Sequence, residues 1–288
     1  MRFAKWQGLG NDYLILEADA LPGTLSAKAI GALCDRHLGV GADGILLNGP
    51  PTGTVTGAVA RMRVFNPDGG EPEMCGNGIR MFARYLRQVG MVAADEFVVE
   101  TLAGPIRPRM LENGLVRVDM GSARFHSPSI GACVRGADGG PDVVGATLEA
   151  GGVSYRFTFV DVGNPHCVIP VDDPSVFDVA GVGALIEHHP DFPKRVNVEF
   201  IHAEADGSVR MRVWERGVGE TQACGTGATA VGAASVAMGV AQSPVLVHLL
   251  GGDLRIDVEE GYGVFMTGPA EEVFTGSLSR DLLARAGW

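Results

Sequence analysis

The chain has 288 residues, about twice the usual domain length, so two domains are expected. Its 23 Lys and Arg against 34 Asp and Glu leave a net charge of −11, which argues against a nucleic-acid partner, because phosphate binding needs clustered basic side chains. Apolar residues make up 46% and charged ones 20%, enough to bury a core and unlike a disordered chain.

Taken in chain order, Met1 to Gly10 lacks the apolar run of a secretory signal. A strand is predicted at Tyr13–Glu17, a helix at Ala27–His37, and a strand where Val59, Arg61, Arg63 and Phe65 alternate with Ala60, Met62 and Val64. A glycine-containing loop then leads into Cys75-Gly76-Asn77-Gly78 and a helix-compatible segment, Ile79–Val89. There Ile79, Phe82, Leu86 and Val89 are spaced for one buried face, leaving Arg80, Arg84 and Arg87 to solvent. Strands are expected at Phe97–Thr101 and Leu115–Met120, and Gly131–Gly152 is the best linker or long-loop candidate. Beyond it come a strand at Val153–Val160, a helix at Asp178–His189, and strands at Val196–His202 and Val209–Trp214. Cys224-Gly225-Thr226-Gly227 opens a second helix, Ala228–Val240, which is apolar all round and belongs inside a sheet. Thr221 to Gly252 carries no Asp, Glu, Lys or Arg, yet its apolarity comes from small residues and Pro244 interrupts it. It reads as a buried helix followed by a strand, not a membrane span. The chain is expected to be a soluble cytoplasmic protein with no membrane contact.

An internal repeat organises these elements. Residues 61–78, RMRVFNPDGGEPEMCGNG, and 210–227, RMRVWERGVGETQACGTG, align without a gap at an offset of 149, with nine of eighteen positions identical. A weaker echo pairs Gly10-Asn11-Asp12-Tyr13 with Gly163-Asn164-Pro165-His166 at an offset of 153. The expectation is an α+β fold, two versions of one α/β unit.

A cysteine at a helix start faces unpaired backbone N–H groups and the positive end of the helix dipole, which favour the thiolate; the same N–H groups can hold a carboxylate. Two such cysteines, Cys75 and Cys224, one from each repeat, imply more. If the two helix starts converge on one cleft, a thiolate on one face of a carbon can remove a proton while a thiol on the other face returns one. That chemistry is inversion at the α-carbon of an amino acid. Cys34 and Cys133 read as small apolar fillers. The five cysteines form no CxxC pair, and His37, His126, His166, His189 and His202 show no metal-ligand spacing, so neither a disulfide scaffold nor a zinc site is expected. Cys-Gly-x-Gly is not the dinucleotide fingerprint, and no phosphate-binding lysine follows it, so no cofactor is expected.

GLGNDY (8–13), FNPDGGEPEMCGNGIR (65–80), GNPHCV (163–168), RVNVEF (195–200) and ERGVGETQACGTGATA (215–230) resemble the diaminopimelate epimerase family across almost the whole chain. The resemblance implies two pseudo-symmetric domains, 1–122 plus 269–288 and 123–268, each a curved, mostly antiparallel sheet or barrel around a central helix. It implies a homodimer working on a small amino-acid substrate, without pyridoxal phosphate or metal, in lysine and cell-wall precursor synthesis. Carried over by position, it makes Cys75 and Cys224 the acid/base pair, with His166 assisting Cys75 and Glu215 assisting Cys224. Asn11, Asn66, Gly76, Asn77, Asn164, Asn197, Arg216, Gly225 and Thr226 become substrate-binding positions. Asparagine amides suit a ligand bearing ammonium and carboxylate, and Arg216 suits a carboxylate. Asn48, outside these motifs, reads as a turn residue. Two departures stand out: Gly44, where some members present a polar side chain to substrate, and Tyr13 in place of a frequent Phe, a change expected to matter little. A proline or hydroxyproline racemase and a non-catalytic amino-acid-binding or redox-switch protein are the alternatives.

Overall fold

A computed structural model describes residues 1–131 and 133–288 and divides the chain into two compact units, Met1–Val118 with Gly268–Trp288, and Asp119–Thr267. The first contains β1 (Arg2–Gly8), β2 (Asn11–Glu17), α1 (Ala27–Cys34), β3 (Gly44–Gly49), β4 (Ala58–Phe65), α2 (Gly76–Gln88), β5 (Val98–Thr101), β6 (Gly104–Ile106) and β7 (Pro108–Met110). β8 (Val116–Ser122) carries the chain into the second unit. There follow β9 (Ala146–Ala150), β10 (Val153–Asp161), β11 (Pro165–Pro170), α3 (Val179–Glu187), β12 (Asn197–Ala203), β13 (Val209–Glu215), β14 (Gly219–Thr221), α4 (Gly225–Ala237), β15 (Val245–Leu249), β16 (Gly252–Val258) and β17 (Gly263–Gly268). The chain returns to the first unit with β18 (Glu271–Ser277) and α5 (Arg280–Ala286).

The two units share one topology. The first sheet runs β18-β1-β2-β3-β4-β5-β6, antiparallel except at β2–β3 and β4–β5. The second contains the run β9-β10-β11-β12-β13-β15-β16, antiparallel except at β11–β12 and β13–β15. Parallel steps fall at the same two places, and each is bridged by a helix, α1 or α3 at the first and α2 or α4 at the second. The repeat seen in the sequence is therefore a repeat of fold. Both sheets are open and mixed, so the barrel expected from the resemblance does not close.

Each unit buries its own core. Leu14, Leu16, Ile30, Leu33, Ile45 and Leu47 pack together in the first, and Phe157, Phe159, Ile169, Val198 and Phe200 in the second. α4 lies against β10, β11, β12, β13, β15 and β16, as its all-round apolarity requires. Its small residues have a steric cause: a Cβ on Gly232 would stand 2.5 Å from the Ile256 side chain.

Four sequence expectations need correction. α1 stops at Cys34, not His37, because the Asp35 carboxylate takes the next free N–H groups, those of His37 at 2.8 Å and Leu38 at 2.7 Å. Of the linker and long-loop readings of Gly131–Gly152, the linker falls, because both ends lie in the second unit, and β9 forms near its end. Asn48 sits in β3, buried, donating to Glu17 Oε2 at 2.8 Å, and is not a turn residue. Cys133 is exposed, in the turn closed by the Val134 N–H on the Gly131 carbonyl, whereas Cys34 is the buried filler expected. No helix among the described residues is long and apolar enough to cross a membrane.

Candidate active site

In the first unit, β4 ends at Phe65 and the loop beginning at Asn66 is closed by the Asn66 N–H on the Gly70 carbonyl at 2.8 Å. Cys75 is the N-cap of α2; its φ/ψ of −136°/116° leave the helix, and its sulfur accepts the Gly78 N–H at 3.2 Å. A glycine is needed at 78, since a Cβ there would meet Leu46 Cδ2 at 3.0 Å and the Cys75 side chain at 3.2 Å.

Beside the sulfur runs a chain of amides. Asn77 Nδ2 donates to Asn11 Oδ1 at 3.2 Å, and Asn11 Nδ2 donates to Asp43 Oδ2 at 2.9 Å. Asp43 is held by Arg36, which also pairs with Asp12 at 2.8 Å. The other end of the chain is Arg80, which donates to Asn77 Oδ1 at 2.9 Å, the Gly76 carbonyl at 3.0 Å and the Pro269 carbonyl at 3.1 Å. Arg80 is 0% exposed, against the sequence expectation of a solvent-facing arginine, while Val89, expected in the core, is exposed. The reason is the returning chain end: α2 packs against β18, and Pro269 lies just before that strand. Burial pulls the Arg80 guanidinium down to about 10, and the neighbouring Cys75 acts in the opposite direction.

The second unit repeats the cap. Cys224 precedes α4 with φ/ψ of −121°/112°, and its sulfur accepts the Gly227 N–H at 3.3 Å. The ionisable groups linked to it are a histidine and two carboxylates. His166 and Glu199 are both wholly buried, with Nδ1 and Oε1 2.6 Å apart, and His166 Nε2 lies 3.0 Å from Asn164 Oδ1. Asn164 Nδ2 donates to Thr226 Oγ1 at 3.3 Å, and that hydroxyl lies 3.5 Å from Cys224 Sγ. Glu199, His166, Asn164, Thr226 and Cys224 thus form one polar chain. Glu199 was not singled out from the sequence, although it stands inside RVNVEF. Its signal was a carboxylate between Val198 and Phe200 in a buried strand, β12.

Glu215 ends β13 and is bonded by the Thr221 hydroxyl and by the Cys224 thiol. The turn after it is pinned twice: the Asn197 Oδ1 accepts the Arg216 N–H at 2.9 Å, and buried Glu187 accepts the Gly217 N–H at 2.9 Å. Asn197 Nδ2 also donates to the Pro165 carbonyl at 2.9 Å, so its amide ties the strand that carries His166 to the turn that carries Arg216. Arg216 itself is exposed.

A helix start was expected to favour thiolate, and for Cys224 it does not prevail. Burial, then the negative charges of Glu215 and Glu199, push this thiol well above its ordinary value, outweighing the Thr226 and Gly227 hydrogen bonds. Burial likewise raises Glu215. Burial thus opposes ionisation of both groups, which are joined by a hydrogen bond. Among the described residues no group of three or more His, Cys, Asp or Glu side chains is placed to hold a metal ion.

The diaminopimelate epimerase family pattern matches residues 3–126 and 158–273. The chain is 50% identical to the diaminopimelate epimerase of Pelotomaculum thermopropionicum, over 96% of this chain and 98% of that one. It is 47% identical to that of Moorella thermoacetica, over 98% and 100%. Among solved structures, a hydroxyproline epimerase from Agrobacterium vitis superposes with a TM-score of 0.70 at 16% identity, over 100% of this chain and 98% of that one. A probable proline racemase from Agrobacterium radiobacter gives 0.68 at 17%, over 97% and 93%. At such low identity these two show the fold alone.

Proposed function

The chain belongs to the diaminopimelate epimerase family, and on that premise we propose that Cys75 and Cys224 are the acid/base pair with which it interconverts LL- and meso-diaminopimelate. One observation supports this most: the same topology, occurring twice, ends each time in a cysteine that caps a central helix with its sulfur on the third N–H. A lone structural cysteine has no reason to recur with its glycines at both places.

The chemistry balances without a cofactor. A cysteine thiolate takes the α-proton as the C–H bond breaks, and the electron pair left on carbon delocalises into the substrate carboxylate. The thiol of the other cysteine delivers its proton to the opposite face. The first cysteine ends as thiol and the second as thiolate, ready for substrate of the other hand. His166 and Glu215 assist by orienting and holding protons, the roles the resemblance gives them at Cys75 and Cys224. Asn11, Asn66, Asn77, Asn164, Asn197, Arg216, Thr226 and the N–H groups at Gly76 and Gly225 bind the ammonium and carboxylate groups of the substrate. The working form is a homodimer, to be checked by sedimentation.

The deciding experiment follows the α-hydrogen in deuterated water. Incorporation of deuterium with inversion, from meso-diaminopimelate and not from proline, is the expected result. Binding of either compound without exchange would defeat the reading.

Glu199→Gln separates two roles of that carboxylate. Without its charge, Cys224 is expected to alkylate at lower pH, because one of the two anions raising it is gone. Turnover is expected to fall about 10- to 100-fold, because the bond that fixes the His166 ring loses its charged partner. Unchanged alkylation and turnover would leave Glu199 without either role.

A further inference from the structure

The shared topology sets residues of the two units in correspondence, and one of them has no role so far. β2 and β11 occupy equivalent places, each parallel to the next strand of its sheet. Tyr13 is in register with Gly44 on β3, and His166 with Asn197 on β12. Tyr13 is the counterpart of His166, in agreement with the Gly-Asn repeat that precedes both. Two residues further along β3 and β12 stand Leu46 and Glu199. Both meet the first turn of their helix in the same way, 3.0 Å and 2.9 Å from where a Cβ on Gly78 or Gly227 would be. In the second unit this position carries an imidazole braced by a carboxylate; in the first it carries a phenol above a leucine, which needs no ionic brace.

The phenol reaches the sulfur. Tyr13 is buried, and its Oη lies 3.7 Å from Cys75 Sγ, within hydrogen-bond range for sulfur. Its ring position also accounts for Gly44. A Cβ at 44 would stand 2.5 Å from Tyr13 Cε1 and 2.5 Å from the Phe65 carbonyl oxygen. The missing side chain at 44 and the hydroxyl at 13, two separate departures in the sequence, are one packing arrangement.

We propose that Tyr13 is a positioning residue for Cys75, its hydroxyl accompanying the sulfur through both protonation states from the place in the first unit that His166 holds in the second. The inference rests on the reading of Cys75 as an acid/base group. When Cys75 is a thiolate the phenol O–H donates to sulfur; when it is a thiol, S–H donates to the phenol oxygen. The bond to the charged form is the stronger, so the hydroxyl favours thiolate. It acts together with the Gly78 N–H and with Arg80, the buried positive charge on the same helix.

Tyr13→Phe keeps the ring and removes the oxygen. Iodoacetamide labelling of the substrate-free chain, with the Cys75 peptide followed by mass spectrometry, reads the effect directly. The pH midpoint for Cys75 is expected to rise by about half to one unit, slowing its labelling at neutral pH roughly three- to tenfold. Exposed Cys133 serves as the unshifted reference. In turnover, kcat/KM falls by one common factor in both directions, because the equilibrium between the stereoisomers is unchanged. Replacing tyrosine by 3-fluorotyrosine, a stronger donor with the ring retained, moves the midpoint the other way. A Cys75 midpoint that moves in neither case overturns the proposal. Labelling needs no substrate, so a failure of the epimerase reading would appear only in the exchange experiment.

Discussion

Cys75→Ala and Cys224→Ala are each expected to lower the rate of epimerisation at least about 10³-fold, with the fold retained. Neither side chain is a large part of a core: Cys75 is half-buried, and each sulfur's hydrogen bond to its helix is one that water can replace at Cys75 and that a small cavity forgoes at Cys224. The double variant is expected to lose little more than either single one, because two groups that act in one proton transfer are not additive. A finer result separates the two-base mechanism from any one-base route. The remaining cysteine can still remove an α-proton from one stereoisomer and return solvent deuterium to the same face. Slow exchange without inversion is therefore expected in each single variant, for opposite stereochemistry in the two. Rapid inversion surviving in either variant would end the two-cysteine mechanism.

Arg80→Met carries the largest expected cost in stability. Methionine approximates the length of the side chain but offers no donor, so the Pro269 carbonyl and the Asn77 amide oxygen lose the guanidinium, and the Gly76 carbonyl keeps only its bond within the helix. Losing the three side-chain bonds of this buried cation, less what the apolar replacement regains by packing, gives a loss of about 3–5 kcal/mol. The melting temperature is expected to fall by roughly 10 °C. Residual activity, measured well below the transition, should show a raised KM, because Asn77 and through it Asn11 lose the anchor that fixes their amides. Arg80→Lys restores a charge without the fork and is expected to recover only part of both losses. A variant as stable as the parent would mean that this network contributes nothing net.

Local pattern carried much of the architecture. The 149-residue offset between two Cys-Gly-x-Gly segments announced two equivalent units, because a duplicated sequence that keeps its strand, loop and cap residues keeps its backbone. The capping positions of Cys75 and Cys224 and the enclosure of α4 followed from the same local information. β1, β3 and β18 were not legible. β18 is exposed along nearly its whole length and β3 is buried on both faces, and either condition erases the period of two that marks a half-exposed strand.

What sequence alone determined, then, is whatever depends on neighbours along the chain: caps, glycine turns, helical and strand periods, and the repeat itself. Tertiary structure decided the electrostatics. Arg80 is buried because a segment nearly 190 residues away closes over it. Cys224 resists ionisation because the fold buries it and brings Glu215 and Glu199 beside it from other strands. Tyr13 meets Cys75 because Gly44 leaves room for its ring. Periodicity reports how a backbone repeats, whereas charge, dehydration and hydrogen bonding act through space between residues that only the folded chain makes neighbours.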